Sequence, residues 1–172
     1  MRRSRGNYRR YTRRIKTIKY SNETTGSSGT WTILNNDQNL VLSMITPSNA
    51  QGTRKCKNFE LSLCGSTWTG EEGAYSQIPV LWALVYVPEG TSPSSLRMPD
   101  PNAPGSIYEP NQNVIMSGLW PGNLTSNYKV KTRLARNLNS GDSIYLVMRT
   151  TFDIPNNVYK QIVASLNYAI AY

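Results

Sequence analysis

The sequence predicts an all-β domain, a sandwich or barrel of antiparallel strands, with a charged arm in front of it. Three observations carry this expectation. Segments in which apolar and polar side chains alternate recur between turn residues. All ten prolines, at positions 47, 79, 88, 93, 99, 101, 104, 110, 121 and 155, fall between those segments, because a proline inside one would remove a ladder donor. Tyr, Thr, Ser, Asn and Val are common and charge is sparse after the first nineteen residues, a mixture that suits pleated, half-buried surfaces. At 172 residues one domain can bury a core without crosslinks.

Residues 1–20 form the arm. Arg2, Arg3, Arg5, Arg9, Arg10, Arg13, Arg14, Lys16 and Lys19 lie there, and no acid does. The whole chain has 19 basic and 10 acidic side chains, so residues 20–172 hold ten of each and the net +9 belongs to the arm. A dense cationic arm binds polyanions without a shaped site. Seven of its nine cations are arginine, whose planar fork grips phosphate. Tyr8 and Tyr11 are interleaved and can stack on unpaired bases, which suits single strands as well as duplex. Tyr8, Tyr11, Ile15 and Ile18 also have the spacing of one helical face, so a helix that orders once its charge is neutralised is an alternative to an extended tail. A nuclear import address would use the same residues.

Residues 21–29, made mostly of Ser, Thr, Gly and Asn, read as a flexible linker. Residues 30–172 read as the folded domain. Its first strand spans 30–46 with a bend near 35–37. The second spans 54–64, where Phe59, Leu61 and Leu63 alternate with Asn58, Glu60 and Ser62. Residues 80–87 are apolar on both parities, as in a strand buried on both faces. Residues 113–120 form the fourth strand. In 128–138, Tyr128, Val130, Leu134 and Leu138 share one face, and Lys129, Lys131 and Arg133 the other. Residues 143–152 are entered by a turn at Asn139-Ser140-Gly141-Asp142. The last strand, 158–172, places Val158, Ile162, Ala164, Leu166, Tyr168 and Ile170 on one face. Residues 88–110 hold six of the ten prolines and form one long, stiffened surface loop, of a kind that contacts partners.

The composition argues against catalysis. There is no histidine, so neither a Ser-His-Asp nor a Cys-His arrangement can be built from this chain, and the commonest zinc ligand is missing. Glu71 and Glu72 are adjacent and flanked by glycines, which reads as a solvated turn. No glycine pattern for nucleotide phosphates follows a strand. Cys56 and Cys64 share parity with the polar Asn58, Glu60 and Ser62, and lie about 26 Å apart along a straight strand, so both read as free thiols. No apolar run is long enough to span a membrane. The expectation is a binding or structural protein, not an enzyme, with no cofactor, no metal and no membrane partner. Lys129, Lys131 and Arg133 are a secondary nucleic-acid candidate, with a solvated outer face as the alternative.

Four segments carry a resemblance: TRKCKNFELSLCG (53–65), VLWALVYVPEGTSPSSL (80–96), SIYEPNQNVIMSGLW (106–120) and KTRLARNLNSGDSIYLVMR (131–149). Together with the Arg/Tyr arm they resemble capsid proteins of circular single-stranded DNA viruses, the circovirus-like group. The resemblance implies a single eight-stranded jelly roll, and about sixty copies in a small icosahedral T=1 shell. It implies an arm facing inward on packaged single-stranded DNA, so that the arm cations with Tyr8 and Tyr11 would be the genome contacts. The residues themselves do not choose DNA over RNA. The virion, and the host nucleus during assembly, would be its locations, and a host receptor a further partner. Residues 88–110 would join strands D and E near a fivefold vertex. Trp68, Trp82, Trp120 and the C-terminal tyrosines are candidates for subunit contacts, with core packing the alternative for Trp82. Seven strand segments are assigned, and the eighth is expected in the linker, in 67–77 or in the final segment. A cellular nucleic-acid-binding protein with a basic tail, and a carbohydrate- or receptor-binding β-sandwich, are the alternative readings.

Overall fold

The structure is a computed structural model and describes residues 18–32, 39–49, 52–70, 73–75, 78–93, 113–121, 127–150 and 157–172. These form ten strands: β1 (Ser21–Thr32), β2 (Asn39–Ile45), β3 (Arg54–Gly65), β4 (Trp68–Gly70), β5 (Gly73–Tyr75), β6 (Val80–Val87), β7 (Val114–Trp120), β8 (Tyr128–Leu138), β9 (Ser143–Thr150) and β10 (Tyr159–Ala171). β10 pairs with β1 along one edge, and with β3 and then β4 along the other. β8 continues the sheet beyond β3, and β5 beyond β4. The second sheet runs β2–β9–β6–β7. Every pairing is antiparallel.

β3 and β4 lie end to end along β10, interrupted only at Ser66-Thr67, and act as one strand. Eight main strands result. Lettered B to I in chain order they read B-I-D-G in one sheet and C-H-E-F in the other, the interleaved order of a jelly roll. The expected fold class is therefore the observed one.

The eighth strand lies where a linker was expected. Residues 21–29 are most of β1, which pairs with β10 without interruption from Ser21↔Ile170 to Thr32↔Tyr159. Small polar residues alone favour flexible chain. Here β10 supplies partners for the backbone groups of β1 that face it, and Trp31 anchors the strand end in the core. Counting β1 moves every later strand one letter along, so residues 88–110 join E (β6) to F (β7), not D to E. Most of that segment, 94–110, lies outside the described residues.

A bulge overturns the parity expected for the cysteines. Lys57 faces Ala135 and Phe59 faces Thr132, so β8 takes three steps where β3 takes two. Against β10 it is β3 that carries the extra residue, between Lys57↔Ala169 and Glu60↔Asn167. Asn58 takes φ = 56° there, in the left-handed region that asparagine tolerates better than most side chains. One inserted residue exchanges the faces of everything before it. Arg54 and Cys56 thus point inward, with Phe59, Leu61 and Leu63 beyond the bulge, while Lys55 and Lys57 point outward. Cys56 is buried and Cys64 exposed, both as free thiols. Leu134, expected on the inner face, keeps that parity on β8 but is 49% exposed beside the irregularity.

The core lies between the sheets. All four tryptophans are buried in it, with Trp31 and Trp68 ring centroids 5.1 Å apart. Trp68 and Trp120 are therefore interior residues, not subunit contacts. Of the last two tyrosines, Tyr168 is buried and Tyr172 is 86% exposed. Trp82 lies over Gly118 on the neighbouring strand, where an added Cβ would come within 2.9 Å of its ring. The buried polar side chains include a lysine. Lys160, on the inward parity of β10, is fully buried; it donates to the Ser66 carbonyl and lies 4.9 Å from the Trp120 ring centroid. Desolvation pushes its amine down to about 8.

The expected turn at 139–142 is present. Gly141 takes φ = 79°, and Asp142 accepts bonds from Tyr86 Oη at 2.7 Å, the Asn139 N–H at 2.7 Å and the Glu89 N–H at 3.2 Å. Desolvation opposes ionisation of Asp142, but these bonds and the nearby Arg54 charge outweigh it and hold the carboxyl below its usual range.

Candidate nucleic-acid interface

The arm cations from Arg2 to Lys16, with Tyr8 and Tyr11, lie outside the described residues, as does Glu71-Glu72. The described chain begins at the arm's root. Ile18 and Lys19 are exposed, and β1 starts two residues after Lys19. Tyr20 ties that root down: its ring centroid lies 3.6 Å from Lys57 Nζ, a cation–π contact across to β3. The root is thus held against the outward face of the B-I-D-G sheet.

That face carries its own charge. Lys129, Lys131 and Arg133 are all exposed, because they alternate on an edge strand whose other parity turns toward the core. The structure also places Lys55 and Lys57 on this face, one strand inward. The register sets Ser62 opposite Lys129, Glu60 opposite Lys131, Lys57 opposite Ala135 and Lys55 opposite Asn137. Five cations therefore share one face of two neighbouring strands. The single acid among them is Glu60, whose Oε2 lies 2.8 Å from Lys131 Nζ. The Lys131 hydrogen bond, with the charges of Lys131 and Lys129, holds Glu60 below the usual carboxylate range against some desolvation. Around the bulge a shallow depression of about 470 Å³ is lined by Asn58, Phe59, Glu60, Lys131, Thr132 and Arg133.

Other cations are engaged elsewhere. Arg54 is buried and donates to the Asp142 carbonyl at 3.3 Å. Arg136 donates to the Val114 carbonyl at 3.3 Å, turned toward the other sheet. Lys160 is in the core.

Sequence reasoning found Lys19, Lys129, Lys131 and Arg133 but not Tyr20, Lys55 or Lys57. The signal was present as a conflict. Extending the Phe59-Leu61-Leu63 face upstream assigns two lysines to the core and a cysteine to solvent, against their burial preferences. A parity switch between 57 and 59 removes both violations, and the structure has it.

No protein-family model and no curated protein matches the chain. Among solved structures, a chain described as Desmodium yellow mottle tymovirus is similar over 89% of this chain and 89% of that one, at 10% sequence identity and a TM-score of 0.31. A likeness that loose adds nothing to the jelly-roll order already read from the strands.

Proposed function

We propose that the chain is a viral capsid subunit that assembles with copies of itself into a small closed shell and packages single-stranded DNA through its arm. One observation carries this reading: the entire net charge of +9 lies in residues 1–19, directly ahead of an electrically neutral jelly roll. A neutral body meets its copies without strong repulsion, while the arm supplies affinity for phosphate. Nine arm cations on about sixty subunits give on the order of 540 positive charges, each able to release a counterion from the genome. A single arm binds weakly, but arms fixed in one shell act together. The resemblance of residues 53–65, 80–96, 106–120 and 131–149 to circovirus-like capsid proteins supports the choice of DNA and of sixty copies. The role is assembly and binding, with no catalytic step.

The purified full chain tests this by its size and nucleic-acid content. A closed particle that carries nucleic acid is expected. Deleting residues 2–19 should strip the nucleic acid and leave the β-sheet signal in circular dichroism intact. A chain that stays monomeric across pH and salt refutes the shell, and unchanged nucleic-acid content after the deletion refutes the arm.

A further inference from the structure

We infer that the outward face of β3 and β8 is a second phosphate-binding surface, continuous with the arm, and that it turns this side of the jelly roll toward single-stranded nucleic acid. The inference rests on the packaging role above but not on the arm's residues.

The geometry has three parts. Lys129, Lys131 and Arg133 occupy alternate positions of one strand, spaced by about 6.6 Å, close to the phosphate repeat of an extended single strand. Lys55 and Lys57 repeat that spacing on β3, so the cations form two short rows on one sheet face. Tyr20, stacked on Lys57, brings the arm's root to the same rows. An exposed row of lysines on an edge strand also guards against edge pairing, but that role needs no second row on β3. Lys55 and Lys57 lie on an interior strand flanked by β10 and β8, where there is no free edge to guard.

Glu60 sharpens the inference. Among the described residues it is the one acid on this face, and it occupies Lys131. The remaining four cations have no carboxylate within 4.0 Å among the described residues. Glu60 therefore partly neutralises the track, and its removal should strengthen binding without any new contact.

The experiment uses the full chain, its arm intact, with a labelled oligo(dT) single strand across a salt series. Each phosphate contact contributes about 0.7 to the slope of log affinity against log salt for single strands. With Lys131 held by Glu60, the K129Q/K131Q/R133Q variant should lower that slope by about 1.4, and adding K55Q/K57Q should bring the loss to about 2.8. E60Q should tighten binding at fixed salt, and this arm of the test needs no disruption of the fold. Unchanged slopes in the glutamine variants, or no tightening in E60Q, overturn the inference. An unchanged slope with lost particle assembly overturns it too, and assigns the face to a second copy of the chain. An arm-neutralised control separates the two readings. If that control loses binding while the face variants do not, the packaging role stands and the second surface falls. If the control binds normally, the arm reading falls first.

Discussion

The two outer faces of this sandwich are built by the same pleat and have opposite characters. On the B-I-D-G sheet, β3 and β8 turn Lys55, Lys57, Lys129, Lys131 and Arg133 outward. On the C-H-E-F sheet the corresponding parity carries Ala83, Val85, Val87 and Val147, a second apolar cluster with Val41, Leu81, Val114 and Tyr145 packed beside it. Ala83 and Val85 are fully buried although they point away from the main core. A strand's inward parity is set by the need for a common core, and it is alike in both sheets. The outward parity is free of that demand and carries the difference in chemistry.

The harshest way to break this contrast is to exchange the two chemistries. Val85→Lys should destabilise the protein by about 4 kcal/mol, because it buries an unpaired ammonium. Val163→Lys, on the outer face of β10 at 55% exposure, should change stability by less than about 1 kcal/mol. Denaturant midpoints compare them, and two equal, small losses would show that the second cluster is not core.

A milder test addresses the bulge that delivers Lys55 and Lys57 to the outer face. Asn58→Val should cost about 2 kcal/mol, since a β-branched side chain resists φ = 56°, whereas Asn58→Gly should be tolerated. Equal stability of the two variants, measured by thermal unfolding, would remove the bulge's conformational demand.

The smallest effect comes from the buried lysine. Lys160 has its folded value pushed from 10.5 down to about 8, so between those values the unfolded chain binds more protons and stability rises with pH. Burial pushes the Cys56 thiol from 9 up to about 11, so from pH 9 upward its contribution runs the other way. The clean window is pH 8 to 9, where stability should rise by about 1 kcal/mol. Lys160→Met should abolish the rise. A rise that persists in that variant would assign it to another group.

Much of this was legible in the sequence. Strong alternation gave β10 and the downstream half of β3, and apolar character on both parities gave β6. The paired and unpaired states of residues 21–29 have the same local composition, so only the presence of β10 alongside could reveal a strand there. Lys160 was hidden for a related reason. Its neighbours on the inward parity set the face, and a lysine among them reads as an exception until the Ser66 carbonyl and the Trp120 ring are seen beside it. The candidate interface was half visible, on β8, where no irregularity precedes Lys129, Lys131 and Arg133. The half on β3 lay upstream of a bulge that a period-two reading steps over.

One consequence of β1 is mechanical. The arm leads straight into a strand held to β10 over twelve paired positions, from Ser21 to Thr32. Antiparallel ladder bonds run perpendicular to their strands. Tension on the chain ahead of Ser21, applied along the axis of β1, therefore loads the rungs together in shear. The same force applied sideways would unzip them one at a time. Attached in this way, the tether can be hauled on from its free end while the block behind it keeps its shape.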